Sequence, residues 1–237
     1  MRIWDIDTGF LNDKSLVAEH RELHGILSIL HNHKKGYSHH PETLRWKGHL
    51  KTLGIRHDLL VEEMDLRGFN HKTPVIPEPG EMIWPESFIN SPHDQYALLK
   101  TKYTNKKPGR IPLPKNTLEL WAFHKYSVMA RDPEFYSATG PLISKNLVGF
   151  EMLCGVLVSI LRTPPGIKRL LNAVDHMWGY ISPFSDLHHD GSNLLTLITE
   201  IRHQAIANRV SYLIHSTALG ELNFWYQFLT RKGDTHE

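Results

Sequence analysis

The helical character of this chain is clearest in residues 12–30, which read Asn12-Asp-Lys-Ser-Leu16-Val-Ala-Glu-His-Arg-Glu-Leu23-His-Gly-Ile26-Leu27-Ser-Ile-Leu30. The apolar side chains recur every three or four residues, as on the buried face of an amphipathic helix. They are Leu16, Leu23, Ile26, Leu27 and Leu30. Asn12 or Asp13 is the predicted N-cap, because a short polar side chain can accept a hydrogen bond from the first turn. Gly36 is predicted to lie just past the helix end.

Proline divides the chain. Eight of the 14 prolines lie between Pro74 and Pro114, and proline excludes long helices and central strands. Within this segment, Ser91-Pro92 starts a short basic helix over about residues 93–104. Helical patterns fill both flanks, and no strand alternation is visible. We predict an all-α fold of two helical domains, residues 1–110 and 111–237, joined by the proline-rich segment.

Composition restricts the possible partners. Apolar residues make up 41% of the chain, enough for a core, and the formal net charge is +2. Residues 1–79 carry eleven Lys/Arg and eleven Asp/Glu, whereas residues 80–115 carry six against three. Any surface that attracts phosphate is therefore local. No apolar run reaches the roughly 18 residues of a membrane span, and the single Cys154 fits a reducing compartment. We expect a cytoplasmic protein without a membrane partner.

Two motifs in the first half carry a family resemblance. The first is Leu16-Val-Ala-Glu-His-Arg21-Glu22-Leu23, and the second is Leu66-Arg67-Gly68-Phe69-Asn70. In order and separation they resemble the signatures of the phage-type pyrimidine-dimer DNA glycosylases, over about residues 1–75. The resemblance implies a repair glycosylase with apurinic/apyrimidinic (AP) lyase activity on ultraviolet-damaged double-stranded DNA, with no cofactor.

The resemblance also implies the catalytic residues. The family attacks C1′ of the damaged nucleotide with the α-amine of its N-terminal residue, and a neutral α-amine is a competent nucleophile. Alignment of the motifs without a gap places Met1 at the nucleophile position, and Arg2 normally blocks removal of the initiator methionine. Glu22 matches the catalytic glutamate. Arg21 and Arg2 match arginines that position the DNA.

Two positions depart from the family pattern. Ser15 stands where the phage-type enzymes have a histidine, and Gly25 stands where they have an arginine that contacts phosphate. Together with the neutral charge of residues 1–79, these departures favour an alternative function. In this alternative, the glycosylase-like scaffold is a non-catalytic module that binds nucleic acid or a protein partner.

A basic segment follows the proline-rich region. Its candidate DNA-binding residues are Lys100, Lys102, Lys106, Lys107 and Arg110, with Tyr96 and Tyr103 interleaved. Alternating basic and aromatic residues suit backbone tracking with base stacking, as in single-strand binders. A solvated linker helix explains the same pattern equally well.

Histidine is abundant, with 17 residues in the chain. His20 and His24 lie one helical turn apart and could form half of a metal site with Glu19. His31, His33, His39 and His40 are a second candidate group. No spacing matches a closed zinc pattern, so we predict no metal site and expect the histidines to cap helices or line a polar groove.

The second half contains two further motifs. The segments Phe123-His124-Lys125-Tyr126 through Tyr136 and Asn172-Ala-Val-Asp-His176 through Tyr180 resemble the YbgA-type domain, a helical domain of unknown biochemistry. His124, Lys125, His176 and Tyr180 are polar positions in apolar helices. They could line a pocket or make buried hydrogen bonds that fix helix packing.

Overall fold

The computed structural model describes residues 1–187 and 193–233, and in these ranges the chain is helical and has no strand. The predicted all-α class is confirmed. The backbone divides into two compact units, Met1–Gly109 and Arg110–Glu237. No helix in the described ranges is long and apolar enough to cross a membrane.

The first unit has four α-helices and one 3-10 turn. They are the turn Thr8–Phe10, α1 (Asp13–His31), α2 (Pro41–Arg45), α3 (Leu50–Leu66) and α4 (Pro92–Lys102). The two long helices, α1 and α3, pack against each other. Their contact faces bury Leu16, Leu23 and Leu53, which have no exposed surface.

Local sequence signals explain most of the helix ends in this unit. The Asn12 side chain accepts from the backbone N–H of Ser15 at 2.9 Å, which confirms the predicted cap of α1. Ser91 caps α4 and Pro92 occupies its first turn, also as predicted. Gly68 follows α3 with φ +77°, a conformation that glycine adopts without strain.

The predicted end of α1 was wrong by several residues. The helix ends at His31, well before Gly36. The Asn32 side chain donates to the carbonyl of Ser28 at 3.0 Å, and His33 takes φ +48°. Side-chain capping by asparagine and a left-handed residue therefore end the helix, without a glycine.

The first residues of the chain are extended and bound to the core by a buried ion pair. Arg56 of α3 donates to both carboxylate oxygens of Glu19 on α1, at 2.8 and 3.0 Å. Glu19 also accepts from the backbone N–H of Trp4 at 3.1 Å, and Arg56 donates to the carbonyl of Ile6 at 3.0 Å. Burial is the strongest influence on the pKa of the Arg56 guanidinium and lowers it, but the charge and hydrogen bond of Glu19, together with the nearby Asp7 and Asp5, raise that pKa above its ordinary value.

A second network holds the other side of this segment. Arg45 of α2 donates to both carboxylate oxygens of Asp5, at 2.9 and 3.0 Å, and to the carbonyl of Ile3. Gln95 of α4 accepts from the backbone N–H of Asp5 and donates back to its carboxylate, both at 2.8 Å. Residues 3–6 are thus bonded to α1, α2, α3 and α4.

The second unit has seven α-helices in the described ranges. They are α5 (Thr117–Met129), α6 (Pro133–Ser144), α7 (Phe150–Leu161), α8 (Ile167–Trp178), α9 (Leu194–Ala207), α10 (Ser211–Ile214) and α11 (Thr217–Gly233), with a 3-10 turn at Ser182–Phe184. Helix α5 is central and packs against α6, α7, α8 and α11. Arg131, just after α5, donates to both oxygens of Glu221 on α11, at 2.9 and 2.8 Å.

Arg56→Met should destabilise the first unit, because it leaves the Glu19 carboxylate buried without its partner. Removal of one member of a buried ion pair typically costs ~3–5 kcal/mol. Urea denaturation followed by circular dichroism measures the loss. Lys107→Met is the control, because it breaks the ion pair between Lys107 and Asp13 on the surface. The Lys107 side chain is 83% exposed, and exposed ion pairs contribute at most ~1 kcal/mol to stability. Equal losses for the two variants would contradict the structural role of the buried pair.

Candidate functional site

The amino terminus lies beside a carboxylate of α1. The Met1 nitrogen is 3.9 Å from Oε2 of Glu22, and the side chains of the two residues are 14% and 37% exposed. The backbone N–H of Arg2 donates to the same oxygen. Glu22 lies one helical turn after Glu19, on the same side of α1. The helix that anchors Trp4 through Glu19 therefore presents Glu22 to the first two residues.

His40 contacts the same amine from α2. Its Nε2 is 3.3 Å from the Met1 nitrogen, and its Nδ1 accepts from the backbone N–H of Glu42 at 3.1 Å. This bond makes His40 the N-cap of α2. Because Nδ1 is the acceptor, a neutral ring carries its proton on Nε2 and can donate it to an uncharged amine.

A cavity of about 420 Å³ opens at this place, within the first unit. Its lining includes Arg2, Trp4, Ser15, Glu19, Glu22 and Lys102. Volumes of 300–1,000 Å³ are typical of ligand sites. Glu19 is paired with Arg56, so the charged groups left to a ligand are the Glu22 carboxylate, with the Met1 amine 3.9 Å from it, and the cationic side chains of Arg2 and Lys102. This set suits a polar ligand that carries phosphate.

The basic residues predicted to bind DNA occupy different environments. The Arg2 guanidinium donates to the side-chain oxygen of Asn90 at 2.7 Å and lies 4.9 Å from the ring centroid of Trp4. The ammonium of Lys102 lies 5.9 Å from the same ring. Lys100 is exposed on α4. This arrangement groups Arg2 and Lys102 at the cavity, around Trp4.

The remaining candidates are farther along the surface or engaged elsewhere. Arg21 is exposed and lines a separate groove of about 400 Å³ with Lys14. Lys106 is exposed, and Lys107 is 3.4 Å from a carboxylate oxygen of Asp13. Arg110 belongs to the second unit, where it donates to the carbonyls of Ile214 and Ser216.

The histidines do not assemble as the sequence suggested. Glu19 is bonded to Arg56, and it does not belong to the group of possible ligands that includes His20 and His24. Those two rings instead meet His57 of α3 and His71. Burial, and then the neighbouring His57 and His24, lower the pKa of His20 to about 4. Burial also lowers the pKa values of His24 and His71 below the ordinary value for histidine.

The candidates of the second unit fall into two environments. The Lys125 ammonium lies 4.5 Å from the ring centroid of Tyr212, and Tyr180 stacks on the same ring at 4.8 Å. His124 is buried, its Nδ1 is 2.7 Å from the carbonyl of Leu120, and burial lowers its pKa to about 4. His176 is exposed. Tyr212 therefore brings Lys125 and Tyr180 together, while His124 makes a buried bond within its own helix.

Sequence reasoning missed three residues of the first site, namely Trp4, His40 and Asn90. His40 contacts Met1 from 39 positions away, and Asn90 contacts Arg2 from 88 positions away. Trp4 contacts the Arg2 guanidinium through its ring face. The signal for His40 was its position before Pro41, because a polar residue followed by proline is typical of a helix start. Asn90 and Trp4 carried no comparable signal.

Comparison with known proteins finds a similarity to one family in part of the first unit. The model of the family described as pyrimidine dimer DNA glycosylase matches residues 1–77. No curated protein and no solved structure matches the chain. The resemblance of the second half to the YbgA-type domain stays a prediction. Residues 1–77, with the amino terminus, α1 and α3, are therefore similar to the pyrimidine dimer DNA glycosylases.

Proposed function

We propose that the first unit is a DNA repair glycosylase with AP-lyase activity on pyrimidine dimers in ultraviolet-damaged duplex DNA. The observation that carries this proposal is the 3.9 Å separation between the Met1 nitrogen and the carboxylate of Glu22, a residue that lines the cavity. The family match over residues 1–77 supports the same class of reaction. Cytoplasmic location stays a prediction.

In the proposed mechanism the Met1 α-amine is the nucleophile. Its lone pair attacks C1′ of the damaged nucleotide, and the bond between C1′ and the base breaks, with the electron pair leaving on the base. The sugar ring then opens to an imine between C1′ and the amine. The target nucleotide must leave the base stack to reach Met1, which costs least where a lesion already distorts the duplex.

Glu22 has two tasks in this mechanism. Its carboxylate stabilises the positive charge that develops on the sugar as the base departs. It then removes a proton from C2′, and the electrons of that bond form a double bond as the C3′–O bond breaks, which cuts the strand. Water hydrolyses the imine and restores the amine. A base beside the amine serves both steps, because C1′ and C2′ are adjacent.

For DNA contact we propose Arg2, Arg21, Lys100, Lys102, Lys106 and Lys107. The exposure of Arg21, Lys100 and Lys106 supports phosphate contacts. Arg110 is left out, because its guanidinium is bonded to two carbonyls of the second unit. The site is locally basic within a neutral sequence, so we expect the affinity to depend on a few contacts and to fall with salt.

The alternative is a non-catalytic module that binds nucleic acid or a protein partner. The observation that favours it is the loss of a family arginine at Gly25, together with equal numbers of acidic and basic residues in positions 1–79. Salt-dependent binding of damaged duplex without any strand cleavage would select this alternative.

Borohydride should capture the protein covalently on an abasic duplex when Met1 has a free α-amine, because borohydride reduces the imine to a stable bond. A version with a short N-terminal extension should not be captured. Glu22→Gln should slow strand cleavage by ~10²–10⁴-fold, the range for loss of a general base. Gel analysis of trapped and cleaved strands measures both effects.

Glu81→Gln is the matched control for Glu22→Gln, since it removes one exposed carboxylate from the same unit. It should leave capture and cleavage unchanged. Capture that persists with the N-terminal extension would exclude Met1 as nucleophile, and full cleavage by Glu22→Gln would exclude Glu22 as base.

Gly25→Arg should tighten binding to abasic duplex and make it more sensitive to salt. Gly25 lies one turn after both Arg21 and Glu22, and a Cβ added there meets no atom within 4 Å. One new phosphate contact should steepen the slope of log affinity against log salt by ~0.9. Fluorescence anisotropy over a salt series measures the slope.

The control for this variant is Gly155→Arg, at another helical glycine with open space around its Cβ, in the second unit. It adds the same charge and the same gain in helix propensity. Equal slopes for the two variants would show that the face around Gly25 does not contact DNA.

A further inference from the structure

Four histidines of the first unit form a cluster that the proposed reaction does not use. His20, His24, His57 and His71 each bring one ring nitrogen to a common place, and these four nitrogens all lie within 4.8 Å of one another. The ring centroids of neighbouring members are 4.6–5.2 Å apart. His20 and His57 are buried, and His24 and His71 are half-buried.

Three parts of the chain supply the cluster. His20 and His24 are four residues apart on α1, so they share one face of that helix. His57 comes from α3, which packs against α1. His71 lies beyond the end of α3, three residues after the turn at Gly68. The cluster therefore joins both long helices and the segment that follows them.

The closest pair already has the spacing of two ligands on one ion. The Nε2 atoms of His20 and His24 are 3.3 Å apart. Tetrahedral zinc binds imidazole nitrogen at about 2.0–2.1 Å, which makes the edge of the tetrahedron about 3.3–3.4 Å. Movement of the other two rings within the cluster would complete the coordination.

His57 provides independent evidence for a ligand. Its Nε2 is buried and has no hydrogen-bond partner. Its Nδ1 lies 2.8 Å from a carboxylate oxygen of Asp58, which holds the ring proton on Nδ1 and leaves a lone pair on Nε2. A carboxylate behind a histidine is the usual support of a metal-bound imidazole.

The donor set identifies the class of ion. Four imidazole nitrogens without a carboxylate suit zinc and related transition metals, whereas magnesium and calcium require oxygen ligands. Four protein ligands leave no open position, which is typical of a structural zinc site.

At 100° per residue, the face of α1 with His20 and His24 is about opposite the face with Glu22. The cluster is thus separated from the cavity by the helix itself.

We propose that His20, His24, His57 and His71 bind one Zn²⁺ ion that fastens α1, α3 and the segment after α3 to one another. The proposal is independent of the glycosylase function, because it rests on no residue of the Met1 and Glu22 site. The ion would bind the folded chain only, and would therefore raise its stability by an amount that grows with the logarithm of the zinc concentration.

Titration of the full chain, purified without a polyhistidine tag and stripped with a chelator, tests this site. Calorimetry with Zn²⁺ should give one ion per chain. The double variant His20→Gln/His24→Gln should bind at least ~100-fold more weakly, because two of four ligands are gone. His39→Gln, which removes an exposed histidine outside the cluster, is the control and should bind as the wild type does.

The visible spectrum of bound Co²⁺ distinguishes metal binding from a role of the histidines in helix packing alone, because packing gives no cobalt absorption. Co²⁺ in the wild-type protein should show the intense visible absorption of tetrahedral coordination, and excess Zn²⁺ should remove it. Asp58→Asn keeps all four ligands and should weaken binding by ~10–100-fold, the usual effect of a lost supporting carboxylate.

Circular dichroism in chelator separates ligand loss from misfolding, because a folded double variant should match the wild type without metal. Zn²⁺ should then raise the melting temperature of the wild type and of His39→Gln, but not that of the double variant. If the double variant fails to fold, the zinc affinity of Asp58→Asn and the cobalt spectrum of the wild type test the proposal instead. Zinc uptake by the wild type that does not exceed that of the double variant, or an octahedral cobalt spectrum, would overturn the proposal.

Discussion

The first unit depends on the buried ion pair between Glu19 and Arg56. Taking two charges out of water is costly, and the cost is offset only where further hydrogen bonds satisfy both groups. Here those bonds go to the backbone of residues 4 and 6, so an extended segment without secondary structure becomes part of the core. A chain end is ordinarily among the least ordered parts of a protein. The ion pair fixes residues 4 and 6, and so it holds the start of the segment where the first two residues can reach Glu22.

The position of the amine beside Glu22 follows from this anchoring and from helix geometry. Glu19 binds Trp4, and Glu22 lies one turn farther along the same face, where the backbone N–H of Arg2 and the Met1 nitrogen meet it. Two acids three residues apart on α1 thus have different roles, Glu19 a structural role and Glu22 a candidate catalytic role. The buried one orders the segment, and the half-exposed one stays accessible to a ligand in the cavity.

Sequence alone could predict what is local. The cap at Asn12 and the Ser91-Pro92 helix start depend on neighbouring residues and were confirmed. The pair of Met1 and Glu22 came from the family motifs, which carry information about distant contacts. The contacts of Met1 with His40 and of Arg2 with Asn90 join residues far apart in sequence, and no spacing rule encodes them. The end of α1 was missed because asparagine capping replaced the expected glycine.

The same limit explains why the histidine cluster was not predicted. Closed zinc patterns are recognised by short spacings between paired ligands, and here only His20 and His24 form such a pair. His57 and His71 reach them through the packing of α3 on α1 and through the turn at Gly68, which are tertiary features. One helix therefore has two polar faces with different tasks. Glu22 faces the amino terminus, and His20 and His24 lie on about the opposite side of α1, so a change in either cluster can be tested while the other stays intact.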